Sequence, residues 1–597
     1  MNTFEIKEDF LVNGKKTKLI SGAIHYFRLT EKQWEDSLYN LKALGANAVE
    51  TYIPWNIHEP FEGEFDFSGM KNVEGFIQKA AEFGLMVILR PSVYICAEWE
   101  FGGLPAWLLN SPGMRVRSTC PLFMEKVRNY LCHLIPKLVP YQATNDGPII
   151  MMQIENEYGS YGMEKNYLYQ TKIIMEELGV DVPLFTADGA DPEFLDAGTL
   201  IDEDVFVTGN FGSRSKENVR HLQNFFDQHG KKWPIMCMEF WDGWFNRWGE
   251  EIIRRDAEDL AKDVKEMLEL GSINFYMFHG GTNFGFYNGC SVRGVKDLPQ
   301  ITSYDYDALL DEAGNPTPKY FAVQKVIKEV CPDVWQAEPR SKTFGHYGKA
   351  QVKAAVSLFE TLADIAEVQE SVYPLTMEEM GSGLGYSLYE VEIKNYHREN
   401  KFKLIGASDR AQVFLDNVPY ATVNQEEVAD FGMVKGCSNK ETLDVKVLIE
   451  NTGRANYGYK LMMHTQRKGI REGIMHNMNY QLGYKQFALD MSKEQLEKVD
   501  YSKKFVAGHP TFYKFEIEVS TVADTYIDCS KFGKGFVAVD GVNLGRYWNI
   551  GPVGSLYCPK EFLKEGVNEI VVFETEGVLI ESIELTNQPV YISICIK

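Results

Sequence analysis

The spacing of apolar positions changes partway along this chain. Up to about residue 335, eight short apolar runs follow one another: LISGAIHY (19–26), NAVETYIPW (47–55), MVILRPS (86–92), PIIMMQIENE (148–157), VPLFTADG (182–189), VFVTGNF (205–211), PIMCMEFW (234–241) and INFYMFHGG (273–281). Stretches with apolar residues at helical spacing, such as EKQWEDSLYNLKALG and SKENVRHLQNFFDQHG, separate most of them. A run of strand length followed by an amphipathic helix is a βα unit, and a series of such units pairs its strands in parallel. Eight units within residues 1–335 predict an α/β fold, a (β/α)8 TIM barrel. An open doubly wound sheet is the weaker alternative. The helical pattern between the fifth and sixth runs is the faintest.

After Pro332 the period shortens to two, in stretches such as YSLYEVEIKNY, RAQVFLDNVPYATV and TLDVKVLIEN. Alternation of this kind marks strands with one buried face. A repeat is also visible: AQVFLDNVPYATV (411–423) followed by LDVKVLIENTGR (443–454) parallels GFVAVDGVNLGRYW (535–548) followed by VNEIVVFETEG (567–577). Two copies of a strand–turn–strand unit with a third strand predict two all-β sandwich modules, over residues 336–500 and 501–597. The piece YGKAQVKAAVSLF (347–359) fits either module.

A chain of 597 residues, 45% hydrophobic, can bury more than one core, in line with this division. The net charge of −23 excludes nucleic acid and anionic membrane as partners, because phosphate binding needs clustered Lys and Arg. No run approaches the roughly 18 apolar residues of a membrane span, so no membrane insertion is expected. The start MNTFEIKEDF is acidic where a secretory signal needs a basic end, which predicts a cytoplasmic protein. Ten cysteines without a CxxC suggest neither a disulfide framework nor a zinc ribbon. His25, His58 and His279 lie near strand ends, but no HExxH spacing accompanies them. GGTNFG lacks the spacing of a phosphate loop, and DYDALLDEAGN has Leu310 where a calcium loop needs glycine. No metal and no cofactor is expected.

In a barrel the strand ends face the active-site mouth. Here those ends carry Tyr52, Trp55 and Asn56, then Cys96, Ala97 and Glu98, then Asn156 and Glu157, then Glu239 and Trp241, and finally Tyr276, with Tyr304 and Tyr306 in the next loop. Two carboxylates among aromatics suit glycoside hydrolysis, where one carboxylic acid protonates the glycosidic oxygen and one carboxylate stabilises the sugar cation from the other face. The pair chosen is Glu157 and Glu239. Strand parity alone cannot separate Glu155 from Glu157, since residues two apart point the same way. Glu155 is expected to be structural, paired with Arg90, and Asn156 reaches the site only if the strand end bends.

These residues sit in longer blocks: SGAIHYFR (21–28), TYIPWNIHEP (51–60), RPSVYICAEWEFGGLPAWLL (90–109), QIENEYGSYG (153–162), MEFWDGWF (238–245), YMFHGGTNFG (276–285), TSYDYDALLDEAGNPTPKY (302–320) and GRANYG (453–458). With them the chain resembles a family-35 glycoside hydrolase, a retaining β-galactosidase. The resemblance implies Glu157 as acid/base, Glu239 as nucleophile, and galactose contacts from Tyr52, Ile95, Cys96, Ala97, Glu98, Asn156, Tyr276, Tyr304 and Tyr306. It implies galactose-binding-domain-like sandwiches after the barrel, the second jelly-roll-like, with Tyr457 reaching the barrel mouth. Trp241 stands where many relatives carry Tyr, and with Trp244 it is expected to shape the site for the leaving sugar. The expected reaction is exo-hydrolysis of terminal β-galactose from an oligosaccharide by double displacement, with β1-3 as the first linkage to test and a homodimer as the first assembly. A β-glucosidase or β-glucosaminidase on the same two glutamates, and a sugar-binding protein without turnover, are the competing readings.

Overall fold

The computed structural model describes residues 3–91, 93–396, 400–424, 428–434 and 440–594. The eight expected strands form one closed parallel barrel in chain order: Ile20–Ile24, Ala48–Tyr52, Met86–Arg90, Ile149–Gln153, Leu184–Gly189, Phe206–Asn210, Met236–Trp241 and Ser272–His279. The eighth closes on the first through the pairs Ile273 with Ile20 and Asn274 with Ser21. Most of these strand residues are buried, as continuous apolar runs covered on both faces require.

The first helix, Glu31–Leu44, shows how the sequence fixes an element. Thr30 and Gln33 form a reciprocal capping box at its start, and Gly45 ends it in the left-handed region at φ 112°. Its Trp34, Leu38 and Leu41 face the barrel core. Where the helical pattern is faintest, the chain forms the short helix Pro192–Gly198 and a single 3-10 turn, Ile201–Glu203. A three-stranded antiparallel sheet of Phe4–Ile6, Phe10–Val12 and Lys15–Lys16 precedes the barrel, which the sequence reading did not anticipate.

The repeat is a repeat of topology. In the first β module, hairpin Arg410–Leu415/Val418–Asn424 pairs through its first strand with Thr442–Glu450, which pairs with Tyr386–Lys394. In the second, hairpin Lys534–Val539/Val542–Trp548 pairs in the same way with Gly566–Glu574, which pairs with Thr511–Val519. Both hairpins turn on two residues with positive φ, Asp416 and Asn417 in one and Asp540 and Gly541 in the other, the geometry that matches strand twist. The piece that fitted either module is now placed. Strand Gly348–Ser357 pairs with Thr511–Val519 and Ser582–Thr586, so it belongs to the second module although it precedes the first in sequence. Residues 336–500 therefore do not all lie in the first module.

A buried ion pair joins the first β module to the barrel. Arg454, wholly buried, has its Nη1 2.5 Å from Oε1 of Glu100 in a barrel loop, and its Nη2 donates to Glu378. No helix among the described residues is long and apolar enough to cross a membrane.

Candidate active site

The fourth barrel strand ends at Gln153, and the backbone then leaves extended geometry. Glu155 and Glu157 both take left-handed conformations, at φ 56° and 45°. Such turns break the two-residue alternation of a strand, so Asn156 no longer points away from its neighbours' targets. Its Oδ1 accepts from Arg90 Nη2 at 2.7 Å and from Gln153 Nε2 at 3.1 Å, and lies 2.8 Å from the Tyr52 hydroxyl. The amide nitrogen is left as its remaining donor.

Glu239, on the seventh strand, is 6% exposed. Its Oε1 accepts from Tyr52 Oη at 2.7 Å and from Arg90 Nη2 at 2.8 Å, and its Oε2 accepts from Trp241 Nε1 at 3.2 Å. The Arg90 guanidinium lies 3.9 Å over the Tyr52 ring, with a second carboxylate, Glu50, 3.7 Å from its Nη1. Burial pushes the Glu50 carboxyl up to about 7. Three donors on a buried carboxylate hold it in one orientation with its charge balanced.

Glu157 has a different environment. Its Oε1 accepts from Asn210 Nδ2 at 2.9 Å, a neutral donor at the end of the sixth strand. Burial, followed by repulsion from Glu239, raises its carboxyl well above the ordinary range. Opposed environments of this kind divide a carboxylate pair into acid and anion.

Glu155 does not pair with Arg90, contrary to expectation. Both of its oxygens take a fork from Arg117, with Nε at 2.9 Å and Nη2 at 2.8 Å, and Tyr167 Oη donates at 3.0 Å. Arg117 Nη2 also donates to the Asn156 carbonyl at 2.7 Å, so this buried pair braces the turn that carries Glu157.

In the loop after the neighbouring third strand, Cys96, Ala97 and Glu98 are left-handed in succession, at φ 57°, 48° and 49°. Arg28 Nη2 bonds the Ala97 carbonyl at 2.6 Å, Asn456 Nδ2 of the first β module reaches Cys96 Sγ at 3.4 Å, and the Tyr304 hydroxyl donates to Glu98. Burial carries the Glu98 carboxyl up to about 7. Ile95 is wholly buried against Gly103, where a Cβ would fall 2.9 Å from its Cγ1.

Tyr276, Tyr304 and Tyr306 form an aromatic wall, with Tyr306 5.5 Å edge-on to Tyr276 and 5.4 Å from Tyr304. Two glycines permit this packing: a Cβ on Gly280 would fall 1.7 Å from the Tyr304 carbonyl oxygen, and one on Gly243 would fall 1.9 Å from that of Tyr306. Trp241 and Trp244, both half-buried, meet edge-to-face at 5.6 Å. Tyr457 is 43% exposed, hydrogen-bonds Ser160 and senses the Glu157 charge, its phenol raised to about 12 chiefly by burial.

Not every polar strand end joins the cluster. Trp55 stacks on Tyr130 at 4.9 Å in the core, and Asn56 ties Glu100 O and Trp99 Nε1, both at 3.0 Å. His58 bonds Tyr26, and His279 bonds Ser37. Sequence reasoning passed over Arg90 as the partner of Glu239, and over Asn210. The signal for Asn210 was present, since it is a polar residue closing the apolar run VFVTGNF.

A closed (β/α)8 barrel with two glutamates in different hydrogen-bonding environments at its strand ends defines a glycoside hydrolase of the barrel type. The model of "Glycosyl hydrolases family 35" matches residues 9–330, "Beta-galactosidase, first all-beta domain" matches 374–490, and "Beta-galactosidase, galactose-binding domain" matches 510–568. Among known proteins the chain is 39% identical to a beta-galactosidase of Xanthomonas manihotis, over 92% of this chain and 90% of that one. It is 37% identical to a mouse beta-galactosidase (96% and 91% covered) and to human beta-galactosidase-1-like protein 3 (95% and 86%). The chain belongs to glycosyl hydrolase family 35.

Proposed function

We propose that this enzyme is a retaining exo-β-galactosidase that removes terminal galactose from the non-reducing end of oligosaccharides. One observation carries the reading: two glutamates within electrostatic reach of each other, one held by Arg90, Tyr52 and Trp241, the other kept protonated by burial and by its neighbour's charge. In the first step Glu239 attacks the anomeric carbon, the C–O bond to the leaving sugar breaks, and Glu157 gives its proton to the departing oxygen. In the second, Glu157 as carboxylate takes a proton from water, which displaces Glu239 and frees β-galactose. This route asks for carboxyl groups about 5–5.5 Å apart. Esterification of Glu239 removes the repulsion that keeps Glu157 protonated, so the same residue serves as acid and then as base.

Tyr52, Asn156, Glu98, Tyr276, Tyr304 and Tyr306, with the 95–97 backbone, surround the galactose. The Asn156 amide nitrogen suits the 2-hydroxyl, and the Glu98–Tyr304 pair suits paired ring hydroxyls. Trp241, Trp244 and Tyr457 flank the leaving sugar. A site built to bond the axial 4-hydroxyl rejects the equatorial epimer by about 10⁴-fold.

The test is galactose release from β1-3, β1-4 and β1-6 galactosides beside matched glucosides. Cleavage of galactosides alone supports the reading, and the panel names the linkage. Equal cleavage of glucosides overturns the sugar assignment, and no cleavage of any substrate moves the chain to sugar binding without turnover.

A further inference from the structure

Asn210 closes the sixth barrel strand and links the two glutamates without being either of them. Its backbone lies in register with Glu239 on the seventh strand, and the next amide, Phe211 N, donates to the Glu239 carbonyl at 3.0 Å. On its other side it pairs with Gly189 of the fifth strand. Its side chain is 2% exposed and gives its Nδ2 hydrogen to Glu157 Oε1 at 2.9 Å, while its own Oδ1 is buried without a partner among the described residues. A buried amide oxygen left unpaired is costly, so the orientation serves the other end of the amide. Reversing the amide would pair an oxygen with an oxygen whenever Glu157 is ionised.

Resting on the β-galactosidase reading above, we propose that Asn210 is a positioning residue for the acid/base, occupying one oxygen of Glu157 so that the other carries the transferable proton. A carboxylic acid has one proton and two oxygens. The oxygen that accepts from an N–H is the poorer place for it, so the proton sits on Oε2. Glycosyl transfer to Glu239 then moves that proton from Oε2 to the leaving oxygen as the C–O bond breaks. In the return step Oε2 takes a proton from the attacking water, and the Asn210 donor stabilises the carboxylate that must be present to do so. The groups that act on Glu157 from the surrounding elements are Glu239, Asp188, Arg90, Cys96 and Tyr457. Asn210 is the neutral donor among these influences, and it favours the ionised form.

The experiment compares wild type, Asn210→Ala and Asn210→Asp on aryl β-galactosides whose leaving phenols range from strongly acidic to weakly acidic, each across a full pH profile. For both variants we expect kcat/KM to fall by about tenfold or more on the poorest leaving groups and little on the best, which need no proton. The slope of log kcat/KM against leaving-group pKa becomes steeper, and the alkaline limb moves to higher pH, further in Asn210→Asp, where a second carboxylate faces Glu157. A uniform loss across all leaving groups with an unmoved alkaline limb would mean that Asn210 only supports the fold, and would overturn the assignment. Wild-type inactivity on every galactoside would instead count against the β-galactosidase reading itself.

Discussion

Arg90 and Glu239 meet in the barrel interior, with guanidinium Nη2 2.8 Å from carboxylate Oε1 and the arginine wholly buried. The same Nη2 lies 2.7 Å from Asn156 Oδ1, so one cation orients both the carboxylate proposed to attack the sugar and the amide proposed to bind its 2-hydroxyl. A buried charge loses far more when its partner is removed than the intact pair ever contributed.

Arg90→Met should therefore lower stability by about 3–5 kcal/mol. It should also reduce kcat/KM by at least about 100-fold at a temperature where the variant remains folded, since each 1.36 kcal/mol of lost transition-state stabilisation is tenfold. Denaturant unfolding and steady-state kinetics on the same preparation check both. A folded variant of near-normal activity would show that Arg90 does not hold the proposed nucleophile.

In the proposed mechanism Glu157 begins the reaction protonated, and its carboxyl is raised by burial and then by Glu239. The alkaline limb of kcat/KM should accordingly lie well above the ordinary glutamate value of about 4.3, with activity lost as pH rises through it. Glu239→Gln removes the neighbouring charge, so carbon-detected NMR of labelled Glu157 should show its pKa fall in that variant. An unchanged titration would mean that the two carboxylates do not interact.

Glu155 and Arg117 form a buried fork, with a further bond from Arg117 to the Asn156 carbonyl. Arg117→Met leaves buried Glu155 without its cation and should cost about 3–5 kcal/mol, while adding Glu155→Leu should restore part of that loss. Activity should stay low in the double variant, because the turn bearing Glu157 has lost its brace. A double-mutant cycle with kinetics on each member separates the two effects, and full recovery of activity in the double variant would contradict the bracing role.

That fork also marks where the sequence stopped being informative. Periodicity predicted all eight barrel strands, because strands covered on both faces must be apolar runs, and the strand-end rule pointed to Tyr52, Asn156, Glu157 and Glu239 without separating Glu157 from Glu155. It could not say which arginine faces Glu155. Arg117 lies in a loop with no period, and the partner depends on two left-handed residues that no alternation predicts. The N-terminal sheet escaped for a related reason: its strands are two or three residues long, too short to carry a pattern. Strand Gly348–Ser357 could be read as a strand but not assigned to a module, since its partners lie more than 150 residues later.

Arg454 is wholly buried between Glu100 of the barrel and Glu378 of the first β module. Two residues on, Asn456 touches Cys96, beside the proposed galactose pocket. Arg454→Met should lower stability by about 3–5 kcal/mol. It should also raise KM for galactosides, because the Cys96–Glu98 loop loses the module that backs it. Calorimetry and Michaelis curves test this, and an unchanged KM in a destabilised variant would confine the modules to a scaffold role.

The most direct test of the central claim is to trap the covalent intermediate with 2-deoxy-2-fluoro-β-galactosyl fluoride and map the labelled peptide by mass spectrometry. The account predicts one fluorogalactosyl group per chain, attached to Glu239, with the label absent in Glu239→Gln. A label on Glu155, Glu50 or Glu157, or turnover of natural substrate with no trappable intermediate, would contradict the assignment of Glu239 as the nucleophile of a retaining enzyme.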